Sequence, residues 1–344
     1  MKLPTTRYYG SKRKLVECIW SALEGLGIEF DTILDLFGGT GVVSYYMAQK
    51  GKKVIYNDVM AFNSEIAKAL LCSPKGSFTE NDIQIVLQDN PEVCYRHYIR
   101  DIFDGIYYTS GENDIIDRAT QNILSLPKEK QSSAFYILFQ SCIIKRPFNI
   151  FHRKNLNLRE NHVKSRFGNK TTWEKSFETL FVKFTKELNE IQFDELPHVC
   201  VRNSAALELK EHADLVYIDT PYFSRKSASV SYHSRYHFLE GLVHYDKIPD
   251  HINFSKSNRE LDFGICPEFE TKSMYIANLH RLLDFHQDSV IALSYTTNGY
   301  PAVEELGQIM GEYKERVQIL DLGEHSFALN KDNDKRHEVL IVGY

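Results

Sequence analysis

The chain has 344 residues, enough for about two domains, and with 43% apolar and 25% charged residues its composition excludes intrinsic disorder. A net charge of −5 would argue against a polyanionic partner, but residues 125–175 hold eleven Lys/Arg against three acids, a local +8 that leaves −13 on the rest. The longest apolar run, Ala134–Ile144, is too short and too interrupted for a membrane span, Met1-Lys2-Leu3-Pro4-Thr5 is no signal peptide, and six cysteines without a CxxC pair argue against a disulfide frame or zinc site, so a cytoplasmic setting is predicted.

In chain order, Leu15, Ile19, Ala22 and Leu23 recur at helical spacing. Ile33–Phe37 reads as a buried strand, Gly38-Gly39-Thr40-Gly41 as a turn, and Val42–Gln49 as a helix that Gly51 can cap. Lys53–Asp58 is a second strand. From about 71 to 195 the pattern changes to patchy helices and a basic, Asn-rich stretch. That segment closes with a helix whose Phe177, Leu180, Phe181, Phe184, Leu188 and Ile191 share one face. Strands return at Val199–Arg202, Leu215–Asp219, Ser289–Tyr295, Val317–Leu322 and Glu338–Tyr344, the last two joined by a polar turn, Lys331–Lys335. The pattern predicts a mostly parallel α/β sheet split by an insertion, with a second polar excursion at 223–285.

Two stretches carry chemistry. Asp35-Leu36-Phe37-Gly38-Gly39-Thr40-Gly41 stands where a strand feeds a helix, the place where doubly wound folds bind ligands. Its spacing is neither GxGxxG nor a GKS/T loop, which disfavours a pyrophosphate cradle. Seventeen residues past Gly41, at the end of the second strand, Asn57-Asp58 places a carboxylate able to hold both hydroxyls of a ribose. The pair predicts a nucleoside-bearing ligand.

The second stretch is Asp219-Thr220-Pro221-Tyr222, which ends a buried strand with an acid, a stiffened turn and an aromatic ring. A carboxylate beside a backbone carbonyl can accept both N–H groups of an exocyclic amine, and a ring can stack on a planar base. Held so, the amine nitrogen leaves conjugation with its ring, and its lone pair is free to attack an activated methyl group.

In this order, around a basic insertion, these motifs resemble the Dam-like alpha group of adenine-specific DNA methyltransferases. Arg7-Tyr8-Tyr9-Gly10-Ser11-Lys12 is similar to that family's N-terminal aromatic-x-Gly-Gly-Lys signature, with Ser11 in place of the second glycine. The resemblance covers about 1–70 and 195–344. It implies a Rossmann-like seven-stranded methyltransferase sheet whose last hairpin is antiparallel, as a catalytic domain over 1–70 and 195–344. Residues 71–194 would form an inserted, largely helical target-recognition domain. It implies S-adenosylmethionine as cofactor, contacted by Tyr8, Lys12, Asp58 and Asp219, wrapped by Asp35, Phe37, Gly38, Gly39, Thr40 and Gly41, and loosely matched at Asn203. Asp219, Thr220, Pro221 and Tyr222 would be catalytic, with Tyr222 stacking on a flipped adenine. The family's usual tetrapeptide is Asp-Pro-Pro-Tyr; Thr220 replaces its first proline and still offers a backbone carbonyl.

Lys145-Arg146-Pro147-Phe148-Asn149-Ile150-Phe151-His152-Arg153-Lys154-Asn155 interleaves cations, aromatics and amides in the family's target-recognition position. Cations neutralise phosphates, Arg and Asn read base edges, and Phe can wedge or stack. Lys145, Arg146, Arg153, Lys154, Arg159, Lys164, Arg166 and Lys170 are therefore expected to bind double-stranded DNA. The loop Ser224–Tyr245, with Arg225, Lys226 and Arg235, is expected to close over the flipped base, and His233, His237 and His244 read as loop polarity without zinc spacing. The resemblance implies N6-adenine methylation in a restriction–modification setting with a cognate endonuclease, or as an orphan or phage methylase, with no metal and no membrane. A cytosine-N4 methyltransferase, which grips the same NH₂ group, and a catalytically impaired DNA-binding relative are the alternatives. No cysteine adjoins the tetrapeptide, which argues against methylation at a cytosine ring carbon.

Overall fold

The computed structural model describes residues 2–5, 7, 8, 10–160, 170–224, 230–265, 268–324 and 337–344. They fall into two compact units. A sheet unit comprises Tyr9–Ser64, Pro197–Tyr232 and Cys266–Tyr344. A helical unit comprises Met1–Tyr8, Glu65–Leu196 and His233–Ile265. Much of the second polar excursion and the first residues thus belong with the insertion.

The strands of the sheet unit are β1 (Thr32–Asp35), β2 (Lys53–Asn57), β3 (Val199–Arg202), β4 (Leu215–Ile218), β5 (Phe223–Ser224), β6 (Val290–Thr296), β7 (Gly299–Tyr300), β8 (Val317–Glu324) and β9 (His337–Gly343). Seven form one sheet in the order β3-β2-β1-β4-β6-β9-β8, while β5 and β7 make a separate antiparallel pair. Pairing is parallel from β3 to β6, and β9 runs antiparallel to both neighbours. The seven-stranded α/β sheet with its antiparallel terminal hairpin is as predicted; the Lys331–Lys335 turn lies outside the described residues.

β4 is buried at every position, as a central strand covered on both faces must be. Asp214, just before it, pins the start of β1 by accepting from the backbone N–H groups of Asp31 (2.9 Å) and Thr32 (2.8 Å) and from the Thr32 hydroxyl (2.8 Å). Leu34, Val216, Ile218, Leu293 and Ile341 share a core with Leu279, Leu283 and Leu306 of the covering helices Lys272–Phe285 and Val303–Gly311. β1 stops at Asp35 rather than Phe37 because the chain turns at Leu36. The strand order reverses between β1 and β4, where Asp35 pairs with Tyr217. Ligands of doubly wound sheets bind at such a reversal, beyond the strands' carboxyl ends.

In the helical unit, the helix Lys128–Ile144 is buried at every residue from Gln131 to Ile144, so it lacks the one-sided apolar pattern of a surface helix. It packs against the helix Phe177–Ile191, whose predicted apolar face is buried and whose first turn is capped by Ser176 (Thr179 N–H to Oγ, 3.1 Å). Thr79–Asp82 and Thr109–Glu112 are capping boxes. Among the described residues no helix is long and apolar enough to cross a membrane.

Candidate active site

The loop after β1 is shaped by contacts that only glycine permits. A Cβ on Gly38 would sit 2.2 Å from the Tyr56 ring, and Gly39 and Gly41 have φ of 51° and 72°. Gly38 N–H donates to the Asn57 carbonyl (2.8 Å), and Gly39 N–H donates to Asp58 Oδ2 (2.9 Å). Asp58 Oδ1 accepts from Met60 N–H (2.8 Å). The predicted ribose-binding acid therefore also braces the glycine loop.

Asn57, quoted in the sequence motif without a role, joins three loops. Its amide donates to the carbonyls of Leu36 and Ser204, both at 3.1 Å, and its Oδ1 accepts from Ser204 N–H (3.2 Å). Asn203 donates to the carbonyls of Asp58 (2.8 Å) and Val59 (2.9 Å). The ends of β1, β2 and β3 are thereby tied together.

Asp35 is buried beneath this loop. Its Oδ2 accepts from the Ser44 hydroxyl (2.7 Å) and N–H (3.2 Å), whereas Oδ1 has no partner among the described residues. Burial pushes this carboxyl up to about 7; Ser44 pulls it down, and the charges of Asp219 and Asp58 push it further up.

At the end of β4, Lys12 Nζ lies 3.0 Å from Asp219 Oδ1 and 3.4 Å from Glu338 Oε2, and it contacts the Tyr222 hydroxyl. The Tyr222 hydroxyl donates to Asp219 Oδ1 (2.8 Å), and the Lys12 ammonium stands 4.5 Å from the centre of the Tyr222 ring. Burial alone would lower the Lys12 pKa, but Asp219 and Glu338 raise it above its ordinary value, so the ammonium stays charged. Burial raises Glu338, against the pull of Lys12. Glu338 is fully buried on β9 with Oε1 unpartnered among the described residues. Sequence reasoning missed it; an acid opening the apolar run Glu338–Val342 was the available signal. With Oδ1 committed to Lys12 and Tyr222, Asp219 Oδ2 takes no hydrogen bond from a described residue, and neither does the Thr220 carbonyl. Thr220 Oγ1 lies 2.7 Å from the Tyr275 hydroxyl.

The sheet unit thus gathers Lys12, Asp35, Phe37–Gly41, Asp58, Asn203 and Asp219–Tyr222 at the carboxyl ends of its strands. Tyr8 belongs to the helical unit, where its ring stacks on Tyr236 with centroids 4.6 Å apart; Tyr9 lies outside the described residues.

Three cations expected on the DNA face are turned inward. Lys145 is buried and donates to the carbonyls of Trp173 (2.7 Å) and Lys175 (2.6 Å) while pairing with Glu112 Oε1 (2.8 Å). Arg146 is fully buried and donates to the carbonyls of Ile150 (3.2 Å) and Arg153 (3.1 Å), its guanidinium 4.3 Å from the Tyr107 ring centre. Its pKa falls to about 10 through burial. Arg159 grips Glu112 with two bonds, 2.9 and 2.8 Å. Burial would raise Glu112, but Arg159 and Lys145 hold it below the usual range. These three residues build the region rather than present charge to a duplex. Arg153 and Lys154 are exposed. Lys170 opens a 3₁₀ turn, and Lys164, Arg166, Arg225 and Lys226 lie outside the described residues. His237, read from sequence as loop polarity, is buried: Nδ1 accepts from Leu261 N–H (3.1 Å) and Nε2 lies 2.9 Å from the Tyr107 hydroxyl.

Residues 8–260 match the family model of the D12 class N6 adenine-specific DNA methyltransferases. Over 349 residues the chain is 25% identical to the type II methyltransferase M2.HphI of Haemophilus parahaemolyticus, covering 99% of this chain and 97% of that protein. It is also 26% identical over 333 residues to the modification methylase StsI of Streptococcus sanguinis, covering 89% of this chain and 46% of that longer protein.

Proposed function

The chain belongs to the D12 class of N6 adenine-specific DNA methyltransferases and is related to type II restriction–modification methylases, and from that premise we propose how its residues divide the work. The observation that carries the reading is the meeting, at the β1–β4 reversal, of a glycine loop with Asp219, whose Oδ1 is held by Lys12 and Tyr222.

The family implies S-adenosylmethionine, and the residues fit it: a glycine loop admits a ligand close to backbone, Asp58 stands ready for a ribose, and Asp35 Oδ1 is a buried oxygen without a donor. In this reading Lys12, Asp35, Phe37–Gly41, Asp58, Asn203 and Asp219 hold the cofactor. When bound, it supplies an electrophilic methyl group. Asp219 Oδ2 and the Thr220 carbonyl accept the two N–H groups of an adenine extruded from the duplex, which frees the N6 lone pair. Lys12 holds Asp219 Oδ1 in place, Pro221 stiffens the turn, and the Tyr222 ring, anchored through its hydroxyl, stacks on the base. Arg153 and Lys154, with Lys164, Arg166 and Lys170, meet phosphates of double-stranded DNA.

The test is transfer of labelled methyl from S-adenosylmethionine to unmodified duplex DNA, followed by long-read mapping of the modified base. N6-methyladenine at one recurring sequence, abolished in Asp219→Ala, supports the reading. A folded wild-type enzyme that binds S-adenosylmethionine yet modifies no DNA overturns it.

A further inference from the structure

Within the helical unit, a hairpin-like segment rises after residue 250. Ile252 pairs with Leu261, Asn253 N–H donates to the Glu260 carbonyl (2.8 Å), and Asp262 N–H donates to the His251 carbonyl (2.8 Å). At its tip Phe254 is 68% exposed, more than any other large apolar side chain described. The Arg259 guanidinium lies 5.2 Å from the Phe254 ring centre, and Nη1 donates to the Phe254 carbonyl (2.9 Å). Lys256 is neutralised by Glu260 (2.6 Å), but Arg259 has no acidic partner among the described residues. Arg259 also has a left-handed backbone, φ 52°. A cation and an aromatic ring are thus displayed together at some conformational cost.

The tip is rigidly founded. Asn258 is buried; its amide donates to the Phe151 carbonyl (3.2 Å), and its own carbonyl lies 2.9 Å from the Tyr107 hydroxyl. Phe151 lies in the loop that Arg146 folds from within, and its carbonyl also accepts from Tyr107 (2.6 Å). That loop carries exposed Arg153 and Lys154, and Phe148 at 37% exposure. Two loops far apart in sequence are therefore bonded into one scaffold bearing exposed cations and, at its tip, the exposed Phe254 ring. An apolar ring beside an uncompensated guanidinium suits a polyanion with flat, stackable faces.

We propose that the Phe254–Arg259 tip is a second DNA-contacting element, with Phe254 packing against bases or sugars and Arg259 meeting a phosphate. The inference rests on the DNA-methyltransferase reading and adds a segment that its motifs do not include.

The experiment compares wild type, Phe254→Ala and Arg259→Asn; asparagine tolerates the left-handed backbone. Each is titrated with a random-sequence duplex at several salt concentrations, with S-adenosylmethionine affinity and thermal unfolding measured alongside. Phe254→Ala is expected to weaken duplex binding about tenfold, and Arg259→Asn to flatten the slope of log affinity against log salt by about one. S-adenosylmethionine binding and melting stay unchanged in both. If wild type binds and methylates duplex DNA while both variants match it in affinity and salt slope, the tip serves something else, such as a protein partner, and the inference is overturned alone. If wild type itself neither binds nor methylates a duplex, the underlying reading falls and takes the inference with it.

Discussion

The side-chain hydroxyls of Thr220 and Tyr275 lie 2.7 Å apart, and both residues are buried. The turn that follows β4 is thereby fastened to the helix Lys272–Phe285 by the residue that departs from the family's tetrapeptide. Thr220→Pro recreates the common Asp-Pro-Pro-Tyr yet leaves the Tyr275 hydroxyl buried and alone. It is expected to cost about 1–3 kcal/mol of stability, read by chemical denaturation, while methylation persists at low temperature. Thr220→Ser keeps the bond and the stability. Adding Tyr275→Phe to Thr220→Pro recovers most of the loss; a double variant no more stable than Thr220→Pro contradicts this account.

Asp35 is expected to make stability pH-dependent. Its folded pKa is about 7, above the ordinary carboxylate value, so between about pH 4 and 7 the folded chain keeps a proton that the unfolded chain has released. The group favours folding at the acid end, and that contribution disappears as pH rises through 7, by at most about 1.4 kcal/mol per pH unit. Asp35→Asn removes this dependence, so in denaturation at stepped pH it gains on wild type as pH rises. Parallel curves would show that Asp35 titrates normally.

Asp58→Ala is expected to weaken S-adenosylmethionine binding by about 1–3 kcal/mol, the worth of a charge-assisted hydrogen bond. It also deprives the Gly39 and Met60 N–H groups of their acceptor. Calorimetry checks the first effect, and faster amide exchange at Gly39 checks the second. An unchanged affinity in a folded variant removes the ribose assignment.

The basic stretch should split into two classes under alanine substitution. Arg146→Ala strands the carbonyls of Ile150 and Arg153 and empties a buried volume, so a loss above about 2 kcal/mol in stability is expected. Lys154→Ala leaves stability unchanged, weakens binding to all duplexes alike, and flattens the salt slope by about one. Thermal unfolding and salt titration of both variants separate them; equal melting temperatures refute the division.

Much of the fold was legible because Ile33–Phe37, followed by Gly38-Gly39, and Leu215–Asp219, closed by its acid, are short apolar-rich runs, and local pattern suffices for those. Asp58 and Asp219 were legible because each ends a predicted strand, and Asp35 because it leads into the glycine turn. Glu338 was not legible as a site residue: it is 326 positions from Lys12, and only the antiparallel placement of β9 beside β6 brings it there. Arg146 and Lys145 misled for a different reason. Charge in a basic, polar stretch normally marks solvent, but here Lys145 is buried beside Glu112 and Arg146 among backbone carbonyls and aromatic rings. The tie between Phe151 and Asn258 joins residues 107 apart and has no local signature.

The single amide of Asn57, shared among the turns that follow three neighbouring strands, bears on how the enzyme meets its cofactor. Loops that fluctuate independently must each be ordered when a ligand arrives, and that entropy is subtracted from affinity. Here Asn57 already bonds the three turns to one another, so less of that ordering is expected to be left to the binding step. Replacing Asn57 with a side chain that cannot bridge, such as leucine, would move the cost back to the binding step: association would slow and its entropy grow more unfavourable, even though Asn57 need never touch the ligand.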